Sequence, residues 1–442
     1  MGVSDDFDAL LDQNRERWNA LQPLDDALRN VFRPPYLPSE DATKLAVEYN
    51  QLVQRSELNL LRLVVDALID RLQVVGFRED KGDRPHGQVW DWWQESALDQ
   101  RQVLVHRDAA SYGDGFVLVT PGEDSPRITP ESPLLLAVEY DPYDPSKVLR
   151  AGKQIGRKGW LYLPDEIISL QQRDDWNVRW EVVDVVPNPS GMCPVVRFAN
   201  NLDSAGRSMS EVAGVLSVQE RIHQTVFDRL LLQRSQAWRQ RWASGITIDR
   251  DENGQPINPF ELGADRILIG DNPDVKFGEF SQADITGLLR AIDDDLQAVA
   301  LISRTPPHYL PSSSISNISG ETLAALEAAL ESKVRERQQL WGESWEQAMR
   351  IGGAMVGVEI GSSAETVWAR EELLSEAQRV DAATKLASIG IPMEYILERM
   401  SLTPQEIERV MNAYREQEAT TARAQAQAFG VELGGVDDAA GA

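Results

Sequence analysis

Apolar positions along this chain switch between two periods, and the switches mark its parts. Leu58, Leu61, Val65, Leu68 and Leu72 recur at spacings of three and four, and residues 1 to about 76 read as helical. Val75-Gly76-Phe77 ends that stretch, with the glycine as a helix stop. Residues 89–111, which carry Trp90, Trp92 and Trp93, predict another helix, leading through Tyr112-Gly113-Asp114-Gly115 into a strand from Phe116 to Val119. From Glu139 to Val196 the period falls to two. Trp160 and Tyr162 alternate with their neighbours, as do Trp176, Val178, Trp180 and Val182, and Pro164, Pro187, Pro189 and Gly191 punctuate the run. This predicts an antiparallel sheet or small sandwich beside the preceding helices.

The helical period returns over 208–243, with Ser208 or Ser210 as cap. Strands at Ile246–Ile248, Arg266–Ile269 and Val275–Phe280, separated by turns at Asn253-Gly254 and Asp271-Asn272-Pro273, predict a compact β insertion. Residues 283–303 are helical again. The stretch from Arg304 to Gly357 then has two halves. Residues 304–319 hold three prolines, a run of serines and no acid. After them Leu323, Leu326, Leu330, Val334, Trp341, Trp345 and Met349 draw one stripe down a helix of about 35 residues, roughly 50 Å long. Ser319 caps it, Glu321 sits in its positive first turn, and Glu331 and Arg335 form an outer pair. Polar loops of this length are uncommon unless they have a task. The stretch reads either as a linker before a core helix or as a mobile loop aimed at something and held by a rigid strut. From Glu371 to Glu418 the chain is helical in three pieces, divided at Gly390-Ile391-Pro392 and Thr403-Pro404, with Thr403 as a cap; the Ala- and Gln-rich tail after Thr420 frays.

Composition narrows the class. A chain of 442 residues with 42% hydrophobic content supports roughly two to four cored domains. A formal charge of −26 argues against a nucleic-acid grip over the whole surface. The single cysteine, Cys193, excludes an internal disulfide and suits a reducing compartment. The acidic start has no signal core, no apolar run reaches the about 18 residues of a membrane span, and Asp6 departs from the myristoylation pattern.

Catalytic constellations fail one by one. There is no Walker loop and no dinucleotide fingerprint. His86, His106, His223 and His308 include no pair at metal-ligand spacing. His106-Arg107-Asp108 resembles a kinase catalytic loop, but Gly113 stands where asparagine is required. Asp249, Asp251, Asn253 and Gly254 fit the start of a calcium loop, yet Phe260 occupies the position of the bidentate glutamate. Asp293, Asp294 and Asp295 are consecutive on a helix, so they point about 100° apart and cannot converge on one ion. Arg229, Arg234, Arg239 and Arg241, interleaved with Trp238 and Trp242, reverse the local charge. They form either a basic face paired with acids on a neighbouring element or a contact for phosphates or an acidic partner. No cofactor is expected.

The order and spacing of several pieces resemble the portal proteins of long-tailed bacteriophages. These are Asp66–Gly76 with Phe77, Ala109–Val119, Asn188–Asn200 followed by Gly206-Arg207-Ser208, Ser319–Leu323, Trp341–Arg350 and Ala382–Met400. The resemblance covers about Asn59 to Gln417 and implies an α+β portal fold. Residues 1–207 would be an α/β wing, 208–245 a first stem helix, 246–282 a β clip and 283–303 a second stem helix. Residues 304–319 would be a tunnel loop, 320–370 a strut helix and link, and 371–442 a helical crown. It further implies a non-enzymatic closed ring of about twelve subunits at one capsid vertex, assembled in the host cytoplasm, with DNA passing through it. Partners would be terminase, a head–tail adaptor, the major capsid protein and a scaffolding protein, with no membrane. On that footing Ser312, Ser313, Ser314, Ile315, Ser316 and Asn317 would touch DNA, and at least one of Asp293, Asp294 and Asp295 would face the lumen. Arg234, Arg239 and Arg241 would pair between subunits with Asp249 and Asp251. The alternatives are a ring adaptor without DNA contact and a metal-dependent nuclease.

Overall fold

The computed structural model of the chain describes residues 2–31, 43–78, 86–173, 179–237, 241–244, 274, 276–279, 284–310, 320–369, 376–400 and 402–428. In chain order the elements are α1 (Val3–Gln13), α2 (Arg15–Leu28), α3 (Thr43–Ser56), α4 (Leu61–Ile69), β1 (Val74–Arg78), α5 (Gly87–Glu95), α6 (Leu98–Tyr112) and β2 (Asp114–Thr120). There follow β3 (Arg127–Glu131), β4 (Leu136–Tyr140), β5 (Val148–Ile155), β6 (Lys158–Tyr162), β7 (Glu166–Gln172), β8 (Trp180–Pro187) and β9 (Val195–Ala199). The last third holds α7 (Leu216–Ala237), β10 (Arg241–Ser244), β11 (Lys276–Glu279), α8 (Thr286–Ser303), α9 (Gly320–Val356), β12 (Glu365–Trp368), α10 (Glu376–Ser388), α11 (Met393–Arg399) and α12 (Pro404–Ala428). The class is α+β, as the resemblance implies. The chain divides into two compact units, one of Met1–Val31, Asn59–Leu216 and Ala300–Ala442, the other of Phe32–Leu58 and Ser217–Val299.

The first unit is built on two antiparallel sheets, β3-β2-β9 and the meander β4-β5-β6-β7-β8. Phe116, Leu118 and Val195 of the smaller sheet share one core with Leu136, Val138, Val148, Ala151, Tyr162 and Ile167 of the larger, which gives the small sandwich expected from the alternation. The other face of the meander is covered by α1, whose Phe7, Leu10 and Leu11 pack on Ala137, Leu161, Ile168, Leu170 and Trp180. Both ends of the meander are terminated. Asn14 answers the outer edge of β4, its side chain donating to Val138 O at 3.1 Å and accepting from Val138 N at 3.1 Å. On β8 a register shift, the Asp184 carboxylate on Val185 N at 2.9 Å, and Pro187 interrupt an edge on which Val182, Val183, Val185 and Val186 are exposed.

Helix α6 lies against β2 at very short range. A Cβ on Gly115 would come 2.4 Å from the Val105 carbonyl and 3.1 Å from Ala109 N. Both are helix backbone and cannot yield by a rotamer change. Gly115→Ala should therefore cost about 1–3 kcal/mol, read by chemical denaturation, whereas the same change at solvent-facing Gly87 has open space around it.

Four expectations are corrected. Gly76 lies inside β1, which pairs with β12 across the register Phe77↔Thr366; the helix has already ended at Ile69. The helix read over 89–111 is two helices, broken where Ala97 adopts a left-handed φ of 52°. The helix read over 208–243 starts at Leu216, and its far end has become β10, paired with β11. Ser210 is not its cap: the hydroxyl donates to Ser111 O at 2.6 Å and accepts from Val212 N at 3.1 Å, which bends the chain instead. Finally, α12 continues to Ala428, past the fraying read from Thr420. Alanine and glutamine are good helix formers, and the Thr420 and Thr421 hydroxyls fold back onto the Glu416 and Gln417 carbonyls. Its start is as expected, a capping box in which Thr403 and Glu406 bond each other's backbone N–H at 3.3 and 2.8 Å.

In the second unit α3 packs on α7 through Leu52, Val53 and Tyr49 against Phe227 and Leu230. Helix α3 thus clusters with the helices read as stem, although the sequence places it with the amino-terminal body. The strands read at Ile246–Ile248 and Arg266–Ile269 lie outside the described residues; the third appears as β11.

Candidate functional site

One face of α9 is buried along most of its length, and its two halves differ in chemistry. The carboxyl-terminal half is apolar: Trp341 and Trp345 are fully buried, and Met349 nearly so. Trp341 Nε1 donates to Ala199 O at 2.9 Å and Ser344 Oγ to Arg197 O at 2.8 Å, which locks the helix onto β9. Trp345 Nε1 lies 3.0 Å from His106 Nε2, with the imidazole stacked on Trp341 at 5.1 Å. An indole N–H can only donate, so His106 Nε2 is an acceptor and the ring is neutral. Burial pushes its pKa down to about 3, against a weaker raising influence from the Leu72 backbone. His106 is therefore a core histidine.

The amino-terminal half of the same face carries charge. Glu327 is 5% exposed, Lys333 3% and Arg337 1%. Arg337 donates through Nε to Asn200 Oδ1 at 2.5 Å and through Nη2 to Glu211 Oε1 at 2.7 Å, and it also bonds the Asn201 amide oxygen. Lys333 Nζ donates to Glu211 Oε2 at 2.9 Å and to Ser303 O at 2.7 Å, so it caps the last turn of α8. Glu327 receives Arg71 Nη2 at 2.6 Å on one oxygen and faces His308 Nε2 at 2.9 Å on the other.

Burial works against both charges of the Glu211–Lys333 pair. For Glu211 the two cations overcome it and hold the carboxyl below its usual value; Lys333, beside a second cation, is left below the ordinary lysine value. The two directions pull against each other, and the geometry decides for the ionised pair: both carboxylate oxygens have cationic donors within 2.9 Å.

The predicted site residues are placed as follows. Asp295 on α8 is bonded to Arg221 on α7, and Asp293 is half-buried and engaged; Asp294, a third of a turn away, is exposed. Of the three, Asp294 alone is exposed. Arg234 is exposed on the last turn of α7, and Arg241 opens β10. Arg239, Asp249, Asp251 and the loop residues Ser312, Ser313, Ser314, Ile315, Ser316 and Asn317 lie outside the described residues. Among the described residues no cluster of His, Cys, Asp or Glu has metal-ligand geometry, and no helix is long and apolar enough to cross a membrane. The buried charges Glu211, Glu327, Lys333 and Arg337 were not singled out from the sequence. One signal was there: the apolar stripe jumps seven residues from Val334 to Trp341, and Arg337 stands in the gap at the stripe's own spacing.

A sequence profile of phage portal proteins of the SPP1 Gp6-like type matches residues 48–421. The chain belongs to that portal family. Its members are structural proteins of the phage virion, which makes this chain a portal subunit, the DNA channel and head–tail connector of a phage particle. The portal protein of Mycobacterium phage L5 is 29% identical over 394 residues, covering 81% of this chain and 78% of the relative. That of Mycobacterium phage D29 is 28% identical over the same shares. Among solved structures, a chain from the neck of a native GTA particle is similar with a TM-score of 0.49 and 11% identity, over 84% of this chain and 95% of that one.

Proposed function

We propose that this portal subunit closes into a ring of about twelve copies, through which double-stranded DNA enters and leaves the head at one vertex. Terminase docks on it during packaging and a head–tail adaptor afterwards, and it is built into the shell with the major capsid and scaffolding proteins in the host cytoplasm. The family match over residues 48–421 carries this reading. Within it, 208–245 and 283–303 are the stem, 246–282 the clip, 304–319 the tunnel loop reaching DNA through Ser312–Asn317, and 371–442 the crown. Arg234, Arg239 and Arg241 pair with Asp249 and Asp251 of the next copy. The subunit has no catalytic role. Native mass spectrometry with negative-stain averages tests the ring: a closed ring with a central hole is expected, and a compact dimer or tetramer in the presence of capsid partners ends the reading.

The acidic lining narrows to Asp294. A ring turns one outward carboxylate into a circle of negative charge, which repels phosphates and keeps DNA sliding. Asp294→Lys should cut packaged DNA severalfold while changing subunit stability by no more than about 0.5 kcal/mol. Asp295→Lys should instead lower stability, because it faces Arg221. Normal packaging by the Asp294 variant would favour a ring that never meets DNA with this face.

A further inference from the structure

We propose that Glu327 is a positioning residue: it fixes the point at which the chain leaves the body toward residues 311–319. The inference rests on the reading of that stretch as the loop facing DNA.

The segment 303–310 is tied down by side chains from α9 and by Arg71 in the turn that follows α4. Lys333 holds Ser303 O. Helix α8 ends with Thr305 N on Ala300 O at 3.1 Å, a closure that places Arg304 in the left-handed region at φ 53°. Glycine normally fills that position, so Arg304 is kept there by its surroundings and marks a strained joint. Beyond it Pro307–Tyr309 form a single 3-10 turn. Two side chains hold this turn. His308 Nε2 faces Glu327 Oε1 at 2.9 Å, and Tyr309 Oη accepts from Arg71 Nη2 at 2.8 Å. Both depend on Glu327, because its other oxygen orients the same Arg71 Nη2 at 2.6 Å. Leu310, 5% exposed, is the last described residue before the loop.

Among the described residues Arg71 Nη1 and His308 Nδ1 are buried without a hydrogen-bond partner, so when the carboxylate is lost His308 keeps no polar attachment and Arg71 keeps only Tyr309 Oη, with nothing left to orient it. The Arg71 and Glu327 side chains are 8% and 6% exposed, and water does not readily replace the missing oxygen. Loss of Glu327 therefore releases the 307–309 turn at the strained joint, while α9 stays fixed by Arg337, Trp341 and Trp345.

Amide hydrogen exchange on the assembled full-length protein tests this. In Glu327→Leu, which removes both acceptor oxygens, exchange at Tyr309 and Leu310 should rise at least tenfold, with α9 beyond Val334 and β9 unchanged, and packaged DNA should fall. Unchanged local exchange, or a rise spread over the whole unit, overturns the proposal. If Glu327→Leu does not fold, Tyr309→Phe removes only the bond from Arg71 and should raise exchange a few-fold at 309–310; no rise there overturns it as well. A local rise with normal packaging overturns the functional half, since the turn would be loosened without consequence for DNA; absence of rings in the parent protein would instead strike the ring reading alone.

Discussion

Glu211→Gln should unfold about 3–5 kcal/mol more easily than the parent chain, one of the two largest single effects expected in this molecule. The amide keeps the shape but leaves Lys333 and Arg337 buried beside each other, with only the largely exposed Glu336 carboxylate, 3.3 Å from Arg337 Nη1, as counter-charge. The effect should show in denaturant unfolding followed by tryptophan fluorescence, since Trp341 and Trp345 sit about one and two turns beyond Arg337 on the same buried face. The pH dependence has a fixed sign. The Glu211 carboxyl is held below its usual value, so it binds fewer protons folded than unfolded. The stability it contributes is present above the unfolded value of about 4.5 and is lost as pH falls through the folded value. That acid step should be missing in Glu211→Gln. A loss of under about 1 kcal/mol would mean that the two cations find other partners. Replacing Glu211, Lys333 and Arg337 together by apolar residues of similar volume should be tolerated better than the single change.

The second large effect is hidden in the parent by compensation. His106 and Asp108 lie two residues apart on α6 and are displaced in opposite senses. His106 is pushed by burial from 6.5 down to about 3, so between those values the unfolded chain holds a proton that the folded one lacks, and stability falls as pH falls. Burial raises the Asp108 carboxyl from 3.8 to about 7, against Arg107, although the side chain keeps some contact with solvent. Across that window the folded state holds the extra proton, and stability falls as pH rises. From about pH 4 to 6.5 the two slopes, each up to about 1.4 kcal/mol per pH unit, oppose each other. Relative to the parent, His106→Gln should gain stability as pH falls through this window and Asp108→Asn should lose it. Denaturation at pH 4.5, 5.5 and 6.5 at constant ionic strength reads the differences. Parallel lines for both variants would place the two groups in ordinary solvent.

Local patterns carried much of the architecture. The three-four spacing of Leu330, Val334, Trp341, Trp345 and Met349 marked the buried face of α9, and alternation around Trp160 and Tyr162 marked the meander. What escaped was decided by partners distant in sequence. Val74–Arg78 is a strand because residues 365–368 lie beside it, and nothing within ten residues says so. The break at Ala97 depends on one residue accepting a left-handed backbone, which alanine does not advertise. The site was harder still. A lysine or glutamate on a long helix reads as solvated, and only assembly shows that Lys333 and Glu327 face inward with partners from 19 to 256 positions away. The three aspartates at 293–295 were visible as a cluster, but their division into one bound to Arg221 and one facing out needs the rotation of α8 against α7.

The meander's two ends limit what neighbouring copies of this sheet can do to one another. One margin is answered by an asparagine side chain that imitates a neighbouring strand; the other is broken by a kink, a carboxylate and a proline. Neither offers a continuous row of free backbone groups. Copies pressed together along this sheet find no continuous backbone edge to extend, so fibre-like growth through the meander is blocked and contacts at its two margins rest on side chains.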